Sequence, residues 1–312
     1  MSHPRNRDEI RLGTRASLLA LSQANWVKSR LEETHAGMKV NLVHIKTTGD
    51  KLDVPLFEMG GKGLFVKEIE DALLRGGVDL AVHSAKDLPA FIPEGFALMA
   101  FPEREDPRDV LIARDGKRWS GIPAGGRVGT GSLRRRAQLV HLRPDLEIIP
   151  MRGNLDTRIK KLSTLKLDAI VLAAAGLRRL NWGDQISDYF EPEVLLPAIG
   201  QGVLAIEGRL GDERINRLVA PLNHIPTEAS LMAERAFLRG LEGGCQVPIA
   251  GFARLDSGRL SLTGLVAGVE GHRVIRGRVE GPAAKSEELG KQLAEELLAQ
   301  GAGDILREVY RK

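Results

Sequence analysis

The sequence predicts an α/β protein of two similar lobes, closed by a small α+β domain. Three observations carry this. Strand and helix signals alternate through the first hundred residues, the same order returns from about residue 127, and from about residue 225 the pattern becomes helix, antiparallel strands, helix. A chain of 312 residues exceeds one typical core, so two or three domains are expected. Hydrophobic residues at 43% and charged residues at 28% are the balance of an ordinary globular protein.

In the first lobe EIRLGTR reads as a strand, and Ser17 is a good N-cap for the helix SLLALSQANWVKSRLEETH, with Leu18, Leu21 and Leu31 on or near one face. VNLVHIKTT is a second strand, GLFVKEIEDALLRG a helix with Phe65, Ile69 and Leu73 at helical spacing, and VDLAVHS a third strand. Strands separated by helices imply crossovers and a parallel sheet. The second lobe repeats the order with RVGTG, SLRRRAQLVHL, LEIIPM, NLDTRIKKLSTL and DAIVLAAAG, and Ser132 and Asn154 stand where N-caps belong. RLGTRAS at Arg11 and RVGTGSL at Arg127 echo each other. FPEREDPRDV, charged and proline-bearing, reads as a linker, and LLPAIGQGVLAIE leads into a strand that can cross back to the first sheet. Two connections between two lobes make a hinge. TEASLMAERAFLRGL then forms a helix from Thr227, turns at Asp256–Gly258 and around Gly271 separate antiparallel strands, and EELGKQLAEELLAQ is a closing helix. The expected division is 1–102 with 203–222, then 106–198, then 225–312.

Composition narrows the function. No run approaches about 18 apolar residues, so no membrane span is expected. The first residues lack the apolar core of a signal peptide, which points to the cytoplasm. The single cysteine, Cys245, excludes an internal disulfide. No two histidines stand at i, i+4 and there is no CxxC, so no metal site is expected. A net charge of +4 and 4% aromatics argue against a nucleic-acid surface. The charge is uneven, however. Arg127, Arg134, Arg135, Arg136, Arg143, Arg152, Arg158, Lys160 and Lys161 face only Asp145, Glu147 and Asp156, and that segment expects an anionic partner.

Ligands of open α/β sheets bind beyond the carboxyl ends of the strands. Thr14–Ser17, Thr47–Asp50, His83–Asp87, Thr130–Ser132 and Arg152–Asn154 fall there. GTGSLRRRAQL opens a helix whose amides favour anions, or is a solvated basic face. It lacks the third glycine of GxGxxG, and EMGGKGLFVKE lacks GxxxxGK[ST], so neither supports a nucleotide site. The glycine-rich stretch 46–63 suits a lid or an ordinary surface loop. Asp87, at a strand end, is a candidate acid, base or charge stabiliser. Cys245 reads either as a small buried hydrophobe or, between flexible glycines, as an exposed thiol.

Seven stretches, in order, resemble the porphobilinogen deaminases, also called hydroxymethylbilane synthases: GGKGLFVKEIE, DLAVHSAKDLP, EREDPRDV, GTGSLRRRAQL, RGNLDTR, LPAIGQGVLAIE and LEGGCQVPI. The resemblance spans nearly the whole chain. The usual GTSSLRR is GTGSLRR here, with Gly131 in place of the first serine. It implies two periplasmic-binding-protein-like (type II) lobes with a hinge and a third, cofactor-bearing α+β domain. It further implies a dipyrromethane cofactor joined to Cys245 by a thioether, extended by four porphobilinogen units with loss of ammonia, and Asp87 as the catalytic group. Binding of the many carboxylates falls, by motif match, to Arg15, Lys86, Arg134, Arg135, Arg152, Arg158 and Arg179, helped by Ser17, Ser84, Thr130, Ser132, Gln201 and Lys62. Arg136 and Arg143 are left as outward-facing charges. The expected protein is a cytoplasmic monomer acting on a small molecule, with no nucleic-acid or membrane partner. The competing reading is a two-lobed small-anion-binding module without catalysis.

Overall fold

The structure, a computed structural model, describes residues 9–48, 66–242 and 247–310. Its described residues fall into two compact units. One runs up to Arg104 and includes Val203–Glu228; the other holds Glu105–Gly202 and the residues from Ala229 on.

The first unit opens with β1 (Glu9–Thr14), α1 (Leu18–Thr34), β2 (Lys39–His44), α2 (Lys67–Leu74), β3 (Leu80–Ser84) and β4 (Phe96–Ala100). β1 pairs in parallel with β2 and with β3. Ser17 adopts an extended conformation and accepts a 3.4 Å hydrogen bond from the Ala20 amide, capping α1 as expected. The buried stripe of α1 is Gln23, Ala24, Val27 and Leu31, which covers Ile10, Leu12, Val40, Leu80 and Val82 of the sheet. Leu18, assigned from sequence to that face, stays exposed. It is the first residue of α1, ahead of the buried stripe that starts at Gln23. α2 buries Ile69 and Leu73 on the opposite face, against Val78, Ala81 and Phe96.

The second unit continues with β5 (Asp109–Ala113), β6 (Arg127–Thr130), α3 (Leu133–Leu142), β7 (Glu147–Pro150), α4 (Leu155–Thr164), β8 (Ala169–Ala173), α5 (Ala174–Arg179) and β9 (Asp188–Phe190). Its sheet has the order β7-β6-β8-β5-β9, with β6 parallel to its neighbours and β5 antiparallel to both of its own. Three sequence expectations change here. DAIVLAAAG is a strand only as far as Ala173, because Ala174 begins α5. FPEREDPRDV is no linker at its end, since Asp109 and Val110 start a fully buried strand. Asn154 has N-cap geometry, but its side chain makes no capping bond, whereas Ser132 accepts from the Arg135 amide.

The chain then returns. β10 (Leu204–Arg209) inserts antiparallel between β3 and β4 and completes a sheet of order β2-β1-β3-β10-β4. Both five-stranded sheets therefore have the same plan, in which three parallel strands are followed by an antiparallel one. α6 (Glu213–Val219) adds Ile215 and Val219 to the first core. α7 (Ile225–Gly240) starts two residues earlier than its sequence signal, with Pro226 in a first turn that needs no amide partner. β11 (Ile249–Asp256), β12 (Arg259–Ala267) and β13 (Val274–Pro282) form an antiparallel meander, followed by α8 (Ser286–Ala299) and α9 (Ala302–Tyr310). No helix among the described residues is long and apolar enough to cross a membrane.

A buried ionic knot organises the second unit. Asp109, at the start of β5, is 0% exposed. One of its oxygens accepts from Arg134 Nη1 at 2.7 Å; the other accepts from Arg135 Nη2 at 2.8 Å, from Arg135 Nε at 3.0 Å and from Gln201 Nε2 at 2.8 Å. The arginines go on to the Leu196 and Val171 carbonyls. Gln138 accepts from the Leu196 amide at 2.8 Å. The Glu234 carboxylate takes the Gly200 and Ala253 amides, tying α7 and β11 to the same segment. Burial works to raise the Asp109 pKa, but the charges and hydrogen bonds of Arg134 and Arg135 outweigh it and hold the carboxyl well below the usual carboxylate range.

Removing the negative charge strands two guanidinium groups in the interior. Asp109→Asn is expected to cost about 3–5 kcal/mol in denaturant unfolding at pH 7. Because the folded pKa is depressed, the stabilisation by Asp109 is complete above the unfolded carboxylate value and is lost as pH falls below about 4. The gap between wild type and variant should narrow in that acid range; a gap independent of pH would contradict the assignment.

Candidate active site

The carboxyl ends of β1 and β3 open into one pocket of the first unit, lined by Arg15, Ser17, Leu19, Ala20, Gln23, Val66, Ile69, Val82, His83, Ser84 and Asp87. Local folding explains each position. β1 ends at Thr14 and delivers Arg15 into the turn before α1, which Ser17 caps. β3 carries His83 and Ser84 to its last positions. The chain then makes a single 3₁₀ turn over Ala85–Asp87, held by the Ala85 amide on the Val203 carbonyl at 2.9 Å and the Leu88 amide on the Ala85 carbonyl at 3.3 Å. That turn presents Asp87 at the mouth. Asp87 is exposed and makes no hydrogen bond or ion pair among the described residues. A carboxylate, a guanidinium, two hydroxyls, an amide and an imidazole thus border a recess whose remaining lining is aliphatic, suited to a flat ring with polar edges.

The structure brings together Arg15, Ser17, Ser84 and Asp87 and sets Lys86, half-buried, on the turn next to Asp87. Two polar lining residues carried no assigned role in the sequence reading: Gln23, and His83, which it placed only within the strand-end segment His83–Asp87. Gln23 is buried and donates a 2.9 Å hydrogen bond from Nε2 to Ser84 Oγ. His83 is buried with Nε2 2.9 Å from Glu207 Oε2. Helical spacing places Gln23 on the buried face beside Ala24 and Val27, and a polar residue on an apolar stripe was the available signal. His83 stands inside the HSAKD motif but carries no spacing cue.

The residues assigned in the second unit do not form one open constellation. Arg134, Arg135 and Gln201 are buried and converge on Asp109. Thr130 is buried and its hydroxyl accepts from the Ser132 amide at 3.2 Å, while the Ser132 hydroxyl caps α3. Arg158 Nε donates to the Gly153 carbonyl at 2.8 Å, and Arg152, half-buried, offers its carbonyl to Lys161 Nζ at 3.0 Å. The basic excess of this segment is largely met inside the protein: besides Arg134 and Arg135, Arg127 pairs with Glu147, Arg136 with Glu270 and Arg143 with Asp145. Arg179 differs from these. Burial pushes its pKa down to about 10, only partly offset by Glu105, and Nη2 donates to the Gly202 carbonyl at 2.6 Å. A desolvated guanidinium of this kind gains more than a surface one from a carboxylate. At Gly131 an added Cβ would collide with the Met151 carbonyl oxygen, so a serine here requires the chain around Met151 to shift. Lys62, Cys245 and the stretch 46–63 from residue 49 on lie outside the described residues.

Comparison with known proteins places these observations. The family described as porphobilinogen deaminase, dipyromethane cofactor binding domain, matches residues 10–217, and the porphobilinogen deaminase C-terminal domain matches residues 229–299. Porphobilinogen deaminase of Geobacter metallireducens is 55% identical over 97% of this chain and 96% of its own length. Those of Geotalea daltonii and Pelobacter propionicus are 54% and 53% identical, over 97% of this chain and 96% and 98% of theirs. Overlap with solved structures is too low to add to this: the probable amino-acid-binding protein ytmK of Bacillus subtilis gives a TM-score of 0.41 at 11% identity, over 69% of this chain and 89% of that one. Sequence identity at this level over the full length, together with both domain matches, shows that the chain belongs to the porphobilinogen deaminase family.

Proposed function

We propose that this protein is a transferase that joins four porphobilinogen molecules head to tail into hydroxymethylbilane, in tetrapyrrole biosynthesis. The observation that carries the reading is the Asp87 pocket, where an unpaired carboxylate stands beside Arg15, Ser17 and Ser84 at the strand ends. In each condensation the C–N bond of an aminomethyl arm breaks, ammonia leaves, and the exposed carbon bonds to a pyrrole α-carbon, whose proton is lost. The final product is released by water. A small-anion-binding module without catalysis would need the cations but has no use for a carboxylate facing the ligand.

The residues present fit a dipyrromethane cofactor. Its pyrrole N–H groups call for an acceptor, which Asp87 supplies, and its acetate and propionate groups call for cations and hydroxyls. When bound through a thioether to Cys245, this group supplies a primer with a free pyrrole α-carbon. Arg15, Ser17 and Ser84 would hold carboxylates at the pocket; Lys62, Lys86, Arg152, Arg158 and Arg179 would hold others, with Thr130 and Ser132 donating hydrogen bonds. Arg134, Arg135 and Gln201 contribute by fixing the start of α3 through Asp109. Asp87 hydrogen-bonds pyrrole nitrogen and stabilises the positive charge that builds as ammonia departs, an electrostatic role that needs no proton transfer of its own. We assign catalysis to residues 1–102 with 203–222, carboxylate binding mainly to 106–198, and cofactor attachment to 225–312. The protein acts as a cytoplasmic monomer.

Three outcomes test this. Asp87→Asn keeps the shape and removes the charge, and turnover should fall on the order of 10²- to 10³-fold; near-normal turnover would refute the role of Asp87. The intact mass of the purified protein should exceed the sequence mass by a two-pyrrole adduct that Cys245→Ser lacks, and full activity without an adduct would overturn the tether. Sedimentation should give one species near 34.0 kDa, and a concentration-dependent dimer would contradict the monomer.

A further inference from the structure

The Asp87 pocket has a buried inner wall that the proposed chemistry leaves unused. In the antiparallel register of β3 and β10, His83 lies opposite Ala205 and Glu207 opposite Ala81. The two side chains are diagonal neighbours on one face of the sheet. That is the α2 face, where Ala81 joins Ile69 and Leu73 of α2. His83 Nε2 stands 2.9 Å from Glu207 Oε2, with side-chain exposures of 6% and 0%. Glu207 Oε1 is buried and accepts no hydrogen bond among the described residues. The same imidazole lines the Asp87 pocket. A third acid belongs to the cluster: Glu70 of α2 has its pKa raised, first by burial and then by the charge of Glu207, while His83 acts in the opposite sense.

This arrangement is a poor structural device. A fully buried carboxylate with one oxygen unsatisfied costs stability that an apolar pair of similar volume would not. Its placement points to the reaction. Each condensation frees one proton from a pyrrole α-carbon and one ammonia, so the pocket needs a group that can hold a proton between the two events. Asp87, if it balances positive charge throughout, cannot also be neutralised by that proton. We propose that His83 is a proton-holding catalytic residue of the Asp87 pocket, its imidazole fixed by Glu207 so that the pair gives up one proton at the inner wall and takes one back in every cycle. The pair starts protonated and gives its proton to the ammonia released when the C–N bond breaks, which departs as ammonium; the proton lost from the pyrrole α-carbon once the new C–C bond has formed then recharges the pair. The pair ends in its starting state and no other reactant is consumed. The charged groups around it are Glu207 from β10, Glu70 from α2, Arg15 from the turn after β1, and Asp87 from the turn after β3. The inference rests on the proposed role of the Asp87 pocket.

The test uses cofactor-loaded protein and two readouts. The first is the NMR titration of the histidine ring carbons, with the His83 signal among the seven histidines identified by its loss in His83→Gln. Glu207→Gln keeps the shape but removes the negative charge that favours the protonated ring. The His83 midpoint should respond to that loss of charge. The second readout is turnover against pH. Glu207→Gln should move one limb of the kcat profile with the ring's midpoint, and His83→Gln should lower kcat on the order of tenfold to a hundredfold with KM changed less than about threefold. A purely structural pair would change stability and leave the profile in place. Unchanged profiles in both variants would overturn the proposal, as would a His83 midpoint indifferent to Glu207→Gln. If His83→Gln does not fold, the Glu207→Gln profile decides alone. Full activity of Asp87→Asn would instead bring down the proposed role of Asp87, whatever the histidine titration shows.

Discussion

The second unit depends on the charge balance around Asp109. A lone carboxylate in that position would be expelled or neutralised, and two adjacent guanidinium groups would repel each other. Together, with Gln201 as a neutral donor, they form a set in which the buried charge of Asp109 is met from three side chains. The set also fixes geometry. Asp109 begins β5, Arg134 and Arg135 lie in the first turn of α3, and Gln201 belongs to the segment that runs into β10. Glu234 repeats the device by holding the Gly200 and Ala253 amides. The loop that carries the chain back to the first sheet is thus pinned by two buried carboxylates rather than by apolar packing alone.

Asp87 and Asp109 show how environment assigns tasks to one residue type. Asp109 is sealed among cations and its ionisation is spent on structure. Asp87 sits on an exposed 3₁₀ turn after a buried strand, with the carboxylate turned to the pocket and uncommitted among the described residues. The stiffness comes from β3, which is buried through His83 and held on both sides by β1 and β10. The proposed catalytic carboxylate is thereby exposed while its backbone is held, a combination that favours electrostatic catalysis. His83 and Glu207 extend the same principle one layer deeper.

The basic segment from Arg127 to Lys161 shows where charge counting stops. In sequence it is an unpaired excess, suited to an anionic partner. In the fold Arg127, Arg134, Arg135, Arg136 and Arg143 each meet a carboxylate of the same unit, and for three of these arginines it is Asp109 or Glu270, outside the segment's own acidic set. The net charge of a stretch does not record which distant acids fold against it. Arg179 differs in that burial pulls its pKa down to about 10, with Glu105 acting in the opposite sense, although nothing in its local sequence sets it apart from Arg178.

What the sequence alone determined was local and periodic. The helix over Gln23, Ala24, Val27 and Leu31, the caps at Ser17 and Ser132, and the parallel strands around β1 and β6 all follow from spacing and side-chain chemistry within a few residues. The HSAKD and GGCQVP stretches carried the family, and with it Asp87 and Cys245. Short elements were not legible: β4 and β9 are too brief to show a period, and Ala174 opens a helix although DAIVLAAAG reads as one apolar strand. Only the tertiary structure decided which of three consecutive arginines turn inward to Asp109 and which turns out to Glu270. It also decided that Gln23 meets Ser84 and His83 meets Glu207, across separations of 61 and 124 residues. Those pairings depend on strand order and register, which bring together residues that no local rule connects.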